Sequence, residues 1–269
     1  MRTPPLVALS AILMVAACAG GSEPNNNFNT SFGNTTLSSE GTSMGDGDGD
    51  PSGDGDPTTT GDPTTTGDPT GDGDGDVDVD DMIDNFEDGD GALIPNGGRQ
   101  GYWYIFNDET VGGMQTPPSD MVLPAGGGAN GTGMAMHTTG SGFTVWGAGL
   151  GIDLNNAGGV DGMKMPWDGS GYTGISMWAR GSGQIRVAVQ IEATIPVAEG
   201  GTCDVDCDPH GMFLQLTDQW QQFSLPFGQL SQEGWGTPAA WDPSSLIGIQ
   251  FKVGASTDFD FWVDEIGFY

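Results

Sequence analysis

The rhythm of apolar and polar positions changes near residue 82. Beyond it, short runs of alternating or β-branched residues are separated by Gly, Pro, Asn and Asp, and no stretch keeps a helical period. These runs predict strands near 83–87, 102–107, 133–138, 143–153, 172–180, 184–193, 212–216, 220–226, 246–253 and 259–268. The fold class this implies is all-β, a two-sheet jelly-roll β-sandwich over residues 82–269. Successive side chains of a strand point to opposite sides, so parity separates a core face from an open one. In Ile185 to Glu192 the branched residues go inward and leave Arg186, Gln190 and Glu192 outside. Ile247, Ile249, Phe251 and Val253 likewise go inward, leaving Gln250 and Lys252 outside, and the same parity puts Trp178, Arg180, Asp260 and Trp262 on open faces.

The chain before residue 82 has a different character. Residues 1–17 carry Arg2 and then an apolar stretch, Leu6 to Ala17, that is too short to span a bilayer, the pattern of an export signal. Val15-Ala16-Ala17-Cys18 resembles the lipobox of bacterial lipoproteins, which implies lipidation of Cys18; ordinary cleavage at the small residues around it is the alternative. Residues 18–81 are rich in Asp, Gly, Pro and Thr, with repeats such as Gly61-Asp62-Pro63-Thr64-Thr65-Thr66. Such a segment cannot bury enough surface to offset its ordering entropy and is expected to be a disordered, extended linker. Two motifs inside it are discounted. Gly41 to Gly45 matches G-x-S-x-G without the flanking strand and helix, and the aspartates from Asp72 onward lack the Gly and Glu of a calcium loop.

Charge narrows the partners. The chain has 37 acidic and six basic residues, of which 15 and one precede residue 82, so the domain keeps 22 and five, a net charge of −17. Such a surface repels phosphate backbones, and nucleic acid is excluded as a partner. With Cys18 acylated, Cys203 and Cys207 remain as a pair in an oxidising compartment, where a disulfide is expected. Zinc held by both thiols, His210 and an aspartate is the less favoured alternative.

Indole rings beside planar hydrogen-bonding groups suit sugars, whose C–H faces stack on rings while their hydroxyls bond to Arg, Gln and Asp. If the outward-facing strands share a sheet, Trp178, Arg186, Gln190 and Gln250 form such a site, with Trp235 and His210 on adjoining loops as further contacts. The competing reading packs Trp178 and Trp262 under loops, leaves Arg and Gln as solvated strand residues, and makes Trp235 a plug at the end of the sandwich. Tyr102, Trp103 and Tyr104 read as core and edge packing.

Ile83-Asp84-Asn85-Phe86-Glu87-Asp88-Gly89-Asp90 and Phe261-Trp262-Val263-Asp264-Glu265-Ile266-Gly267-Phe268, with Trp178 in Gly174 to Gly181, resemble the terminal strands and a central block of galactose-binding-like jelly rolls, and among them family 11 carbohydrate-binding modules. The resemblance implies a structural Ca2+ near the paired termini, with Glu87 and Asp264 at the ligand positions. The expectation is a monomeric, non-catalytic lipoprotein that binds polysaccharide, β-glucan among the candidates, and is held in the outer membrane or at the cell surface through Cys18. The alternatives are a structural or protein-binding envelope lipoprotein, and a polysaccharide hydrolase or lyase drawing on Glu192, Asp153 or Glu233.

Overall fold

The computed structural model describes residues 78–118, 122–158 and 162–269; the signal segment, Cys18 and the linker through residue 77 lie outside the described residues. Twelve strands carry the described chain: β1 (Asp81–Asp84), β2 (Trp103–Asn107), β3 (Met114–Thr116), β4 (Ala125–Gly126), β5 (Met134–Ser141), β6 (Ala148–Asp153), β7 (Gly174–Gly181), β8 (Gln184–Ile191), β9 (His210–Gln215), β10 (Gln221–Pro226), β11 (Leu246–Val253) and β12 (Phe259–Phe268). They form two antiparallel sheets, a β-sandwich as expected. The terminal sheet runs β10-β7-β12-β5-β3, with β1 on β12 and β4 on β5; the second sheet runs β2-β6-β11-β8-β9.

Parity explains the core. Ile175, Met177 and Ala179 from β7 face Ile185, Val187 and Val189 from β8 and Ile249 and Phe251 from β11, all fully buried in one cluster. Burying an aliphatic side chain of this size contributes roughly 1.5–3 kcal/mol. In β12 the inward set is Phe259, Phe261 and Val263, then Ile266 and Phe268, a switch from odd to even. A bulge causes it: the register against β7 shifts between Asp264 and Gly267, and Glu265 takes a left-handed φ of 44°.

Three expectations need correction. β3 and β4 were not foreseen, because they are too short to show a period. The run 143–153 is a strand only from Ala148; before it the chain folds over Asp108, whose Oδ2 accepts the N–H groups of Val145, Trp146 and Gly147 at 2.8, 2.9 and 2.9 Å. And the outward-facing strands do not share a sheet: β7 and β12 belong to the terminal sheet, β8 and β11 to the other.

The chain's described beginning is fixed at the terminal sheet. Asp81 opens β1 opposite Phe268, and its carboxylate pairs with Arg99 at 2.8 Å, both side chains buried. Burial works against the Asp81 charge, yet Arg99 and Asn96 hold its pKa below the ordinary carboxylate value. Next to it, Asp84 accepts from Phe86 N and Trp103 Nε1, each at 2.8 Å. Burial dominates there and pushes the Asp84 pKa up to about 7.

Candidate ligand groove

Strand pairing sets the outer face of the second sheet in straight rows. One row crosses Phe106, Gly149, Lys252, Arg186 and Phe213; the next crosses Tyr104, Gly151, Gln250, Ala188 and Gly211; a third holds Asp153, Gly248 and Gln190. Glycine on β6 is what makes this a floor. A Cβ at Gly151 would come within 2.4 Å of the Tyr104 ring, and one at Gly149 within 2.9 Å of Phe106, so these rings lie across the strand where any other residue would lift them. Tyr104 accepts from Gln250 Nε2 at 3.3 Å, and Lys164 Nζ stands 5.5 Å from its ring centre. Burial, with Asp153 nearby, pushes the Tyr104 hydroxyl up to about 12.

The loops that rise beside β8 and β9 make the wall. Cys203 and Cys207 are joined in a disulfide, and Cys207 and Pro209 line the groove. This loop is stitched to residues 231–237: Thr237 N donates to Asp206 O at 2.8 Å, Thr237 Oγ1 to Val205 O at 2.9 Å, and Gly234 N to Asp208 Oδ2 at 2.7 Å. Arg186 ties both loops to the floor. Its Nη2 donates to Pro209 O at 2.9 Å and Ser231 O at 3.0 Å, its Nε pairs with Glu233 at 3.1 Å, and its guanidinium lies 5.3 Å from the Phe213 ring centre.

Between wall and floor is a groove of about 800 Å³, continuous through shared residues with a smaller part of about 210 Å³. Around the larger part stand Trp146, Phe213 and Trp235, which are 41%, 50% and 55% exposed. Rings left this open by a folded domain are available to a ligand's apolar face. The smaller part contains Gln190 and Gln250, and Gln190 Oε1 is buried without a hydrogen-bond partner among the described residues.

Of the sequence-predicted contacts, Arg186, Gln190, Gln250 and Trp235 are brought together here. Trp178 is not: it lies on the outer face of the terminal sheet, in register with Asp264 and Gln222. His210 is also elsewhere. Its register partner is the inward-facing Val189, its ring meets Trp241 edge-on at 5.4 Å inside the sandwich, and burial lowers its pKa. The disulfide removes the zinc alternative for Cys203, Cys207 and His210. The carboxylates considered for catalysis are committed or remote. Glu233 is held by Arg186, and Asp153 by Lys164 at 3.4 Å and Asn156 at 2.9 Å. Glu192 sits in the turn after β8, outside the groove lining.

Tyr104, Trp146, Phe213 and the groove role of Lys252 escaped the sequence reading. Parity could have found Tyr104 and Phe213, which alternate with the buried Trp103 and Leu214. Nothing local marks Trp146, because its exposure depends on the distant Asp108.

Glu87 and Asp264 meet at the 129–134 loop. Glu87 Oε1 accepts the N–H groups of Gly133 and Met134 at 2.8 Å each; Asp264 accepts from Ala129 N, Thr132 Oγ1 and Glu265 N at 2.6, 2.9 and 2.8 Å. Asp264 is fully buried, and neither carboxylate has a Lys, Arg or His paired with it among the described residues. Burial raises the Asp264 pKa. The atoms placed against the two carboxylates are N–H and O–H donors, and no group of three or more His, Cys, Asp or Glu that could hold a metal occurs among the described residues.

No protein-family model matches the chain, and a search of curated proteins finds no match. Among solved structures it is similar to a family 11 carbohydrate-binding module from Clostridium thermocellum, in complex with a β-1,3-1,4-mixed-linked tetrasaccharide (16% identity, TM-score 0.47, covering 70% of this chain and 94% of that one). It is also similar to the family 30 carbohydrate-binding module of a Clostridium thermocellum cellulosomal cellulase (12%, 0.45, 69% and 94%) and to an exo-β-agarase (12%, 0.42, 70% and 25%). What the groove can hold follows from its own residues.

Proposed function

We propose that this domain is a non-catalytic polysaccharide-binding module, with the glycan lying in the groove across β2-β6-β11-β8-β9. One observation carries the reading: exposed Trp146, Phe213 and Trp235 stand beside a floor that carries the planar hydrogen-bonding groups Arg186, Gln190 and Gln250, in one open groove. Rings take the C–H face of a sugar, and the planar groups take its hydroxyls. The groove's carboxylates, Glu199 and Glu233, are each engaged by a cation, which favours positioning over proton transfer. The proposal includes the anchor: Cys18 carries lipid, the chain between it and β1 acts as a spacer, and the module serves the outer membrane or cell surface as a capture device. We assign a Ca2+ to Glu87 and Asp264, where it would supply structural charge compensation outside the groove.

Affinity electrophoresis of the full chain through glucans, xylans and mannans tests the binding. Retardation by at least one polysaccharide is expected, reduced about ten-fold in affinity by Trp235→Ala, since a central aromatic contact contributes more than about 1 kcal/mol. No retardation in any gel would leave the structural or protein-binding reading in its place. Release of reducing ends, abolished by Glu233→Gln, would replace binding with hydrolysis.

A further inference from the structure

The larger part of the groove is lined by more cations than carboxylates, in a domain that is otherwise acidic. Of its five basic residues, Arg99 is locked to Asp81 in the interior and Arg180 lies between two indoles on the terminal sheet. The other three, Lys164, Arg186 and Lys252, stand on or against the outer face of the second sheet. Lys164 is compensated twice, by Asp153 at 3.4 Å and Glu199 at 3.0 Å. Arg186 has Glu233.

Lys252 has no carboxylate within ion-pair distance among the described residues; its ammonium rests 5.3 Å from the centre of the Trp146 ring. It is the direct cross-strand neighbour of Arg186, and like charges placed opposite each other repel. The lining at this row therefore holds two cations and one carboxylate. Asp208 adds a weaker attraction from behind the wall, where it is buried and already receives Gly234 N. Burial lowers the Lys252 pKa, Arg186 pulls it the same way, and Glu233 and Asp208 oppose them. A further anion at this spot would relieve both the desolvation and the repulsion.

We propose that the groove selects a polysaccharide bearing carboxylates, that is, one containing uronic acid units, and that Lys252 receives the carboxylate. This rests on the groove being a polysaccharide site. Arg186 and Glu233 are the fixed frame; Trp146 and Phe213, flanking the two cations, take the apolar face of the uronate ring. The acidic surface elsewhere does not forbid this. Charges farther than about 8 Å are largely screened at physiological salt, whereas a carboxylate touching Lys252 is not.

The test measures affinity of the full chain for oligogalacturonates, oligomannuronates and oligoglucuronates, each beside its methyl ester, which keeps ring and linkage but removes the charge. At least one acid should bind about ten-fold tighter than its ester, the size of one charge-assisted hydrogen bond. That affinity should fall as salt rises. Lys252→Met should abolish the difference between acid and ester, and Lys252→Arg should keep the preference. If every acid binds no better than its ester while esters or neutral glycans bind, the carboxylate proposal is overturned and the polysaccharide reading stands. If no glycan of any kind binds, the polysaccharide reading itself fails.

Discussion

On the outer face of the terminal sheet, Arg180 lies between Trp220 and Trp262 at 4.9 and 4.8 Å, and the far side of Trp262 is covered by His137, whose ring stacks at 3.7 Å and whose Nε2 meets Asp260 at 2.9 Å. On the outer face of the second sheet, Trp146, Trp235 and Phe213 keep large exposed areas, and the arginine they flank is bonded to backbone and carboxylate. Both faces use indole, guanidinium, amide and carboxylate. In the first, Trp262 is stacked on by His137 and contacted by Arg180; in the second, the rings stay largely exposed even though Phe106 and Lys252 neighbour Trp146 and Arg186 neighbours Phe213. Aromatic content therefore does not mark a site, whereas exposed rings beside polar groups do.

Exchanging the two arginines for alanine breaks the comparison most sharply. Arg186→Ala leaves Glu233, Pro209 O and Ser231 O without their donor and should lower stability by about 2–4 kcal/mol, with glycan binding lost. Arg180→Ala removes two ring contacts of about 0.5–1 kcal/mol each and should leave glycan affinity unchanged. Chemical denaturation and affinity electrophoresis on both variants check this; weakened binding in Arg180→Ala would mean that the terminal sheet takes part.

Cutting the disulfide comes next. Cys203→Ser with Cys207→Ser opens a loop of only a few residues, for which the chain-entropy estimate is about 2 kcal/mol. The wall should loosen while the terminal sheet stays intact, so hydrogen exchange should rise at 203–209 and 231–237 and not at β7 or β12.

The smallest effect is one of pH. The Asp84 pKa is raised from 3.8 to about 7, so the folded state binds a proton that the unfolded state releases, and the contribution to stability is full below about pH 4 and lost as pH rises through 7. The melting temperature should decline over that window in the wild type and decline less in Asp84→Asn. An unchanged slope in the variant would locate the titration elsewhere.

The strands of the core were legible because parity is a local property: Ile185, Val187, Val189 and Ile191 announce their face without knowing their neighbours. Which sheet a strand joins is not local, and that is why Trp178 read as a companion of Arg186 although β7 and β8 lie in different layers. Tyr104 was hidden for a related reason, since its place on the outer face depends on Gly151, forty-odd residues onward. Trp235 could be read because no strand pattern surrounds it, leaving a loop as its only home.

The pairing of β1 with β12 has a mechanical consequence. A pull on the chain from the side of residue 78 enters the domain at a four-residue strand aligned against the last strand, with the Asp81 and Arg99 pair at its very first residue. Load along that axis stretches the β1–β12 bonds together, in shear, instead of peeling them one by one. A ligand gripped by the second sheet would take up the load on the opposite layer, so tension crosses the packed interior between the two. The buried ion pair at Asp81, next to the bond from Asp80 N to Phe268 O, is then among the first latches to carry force, and Arg99→Ala should lower the rupture force before it alters the grip.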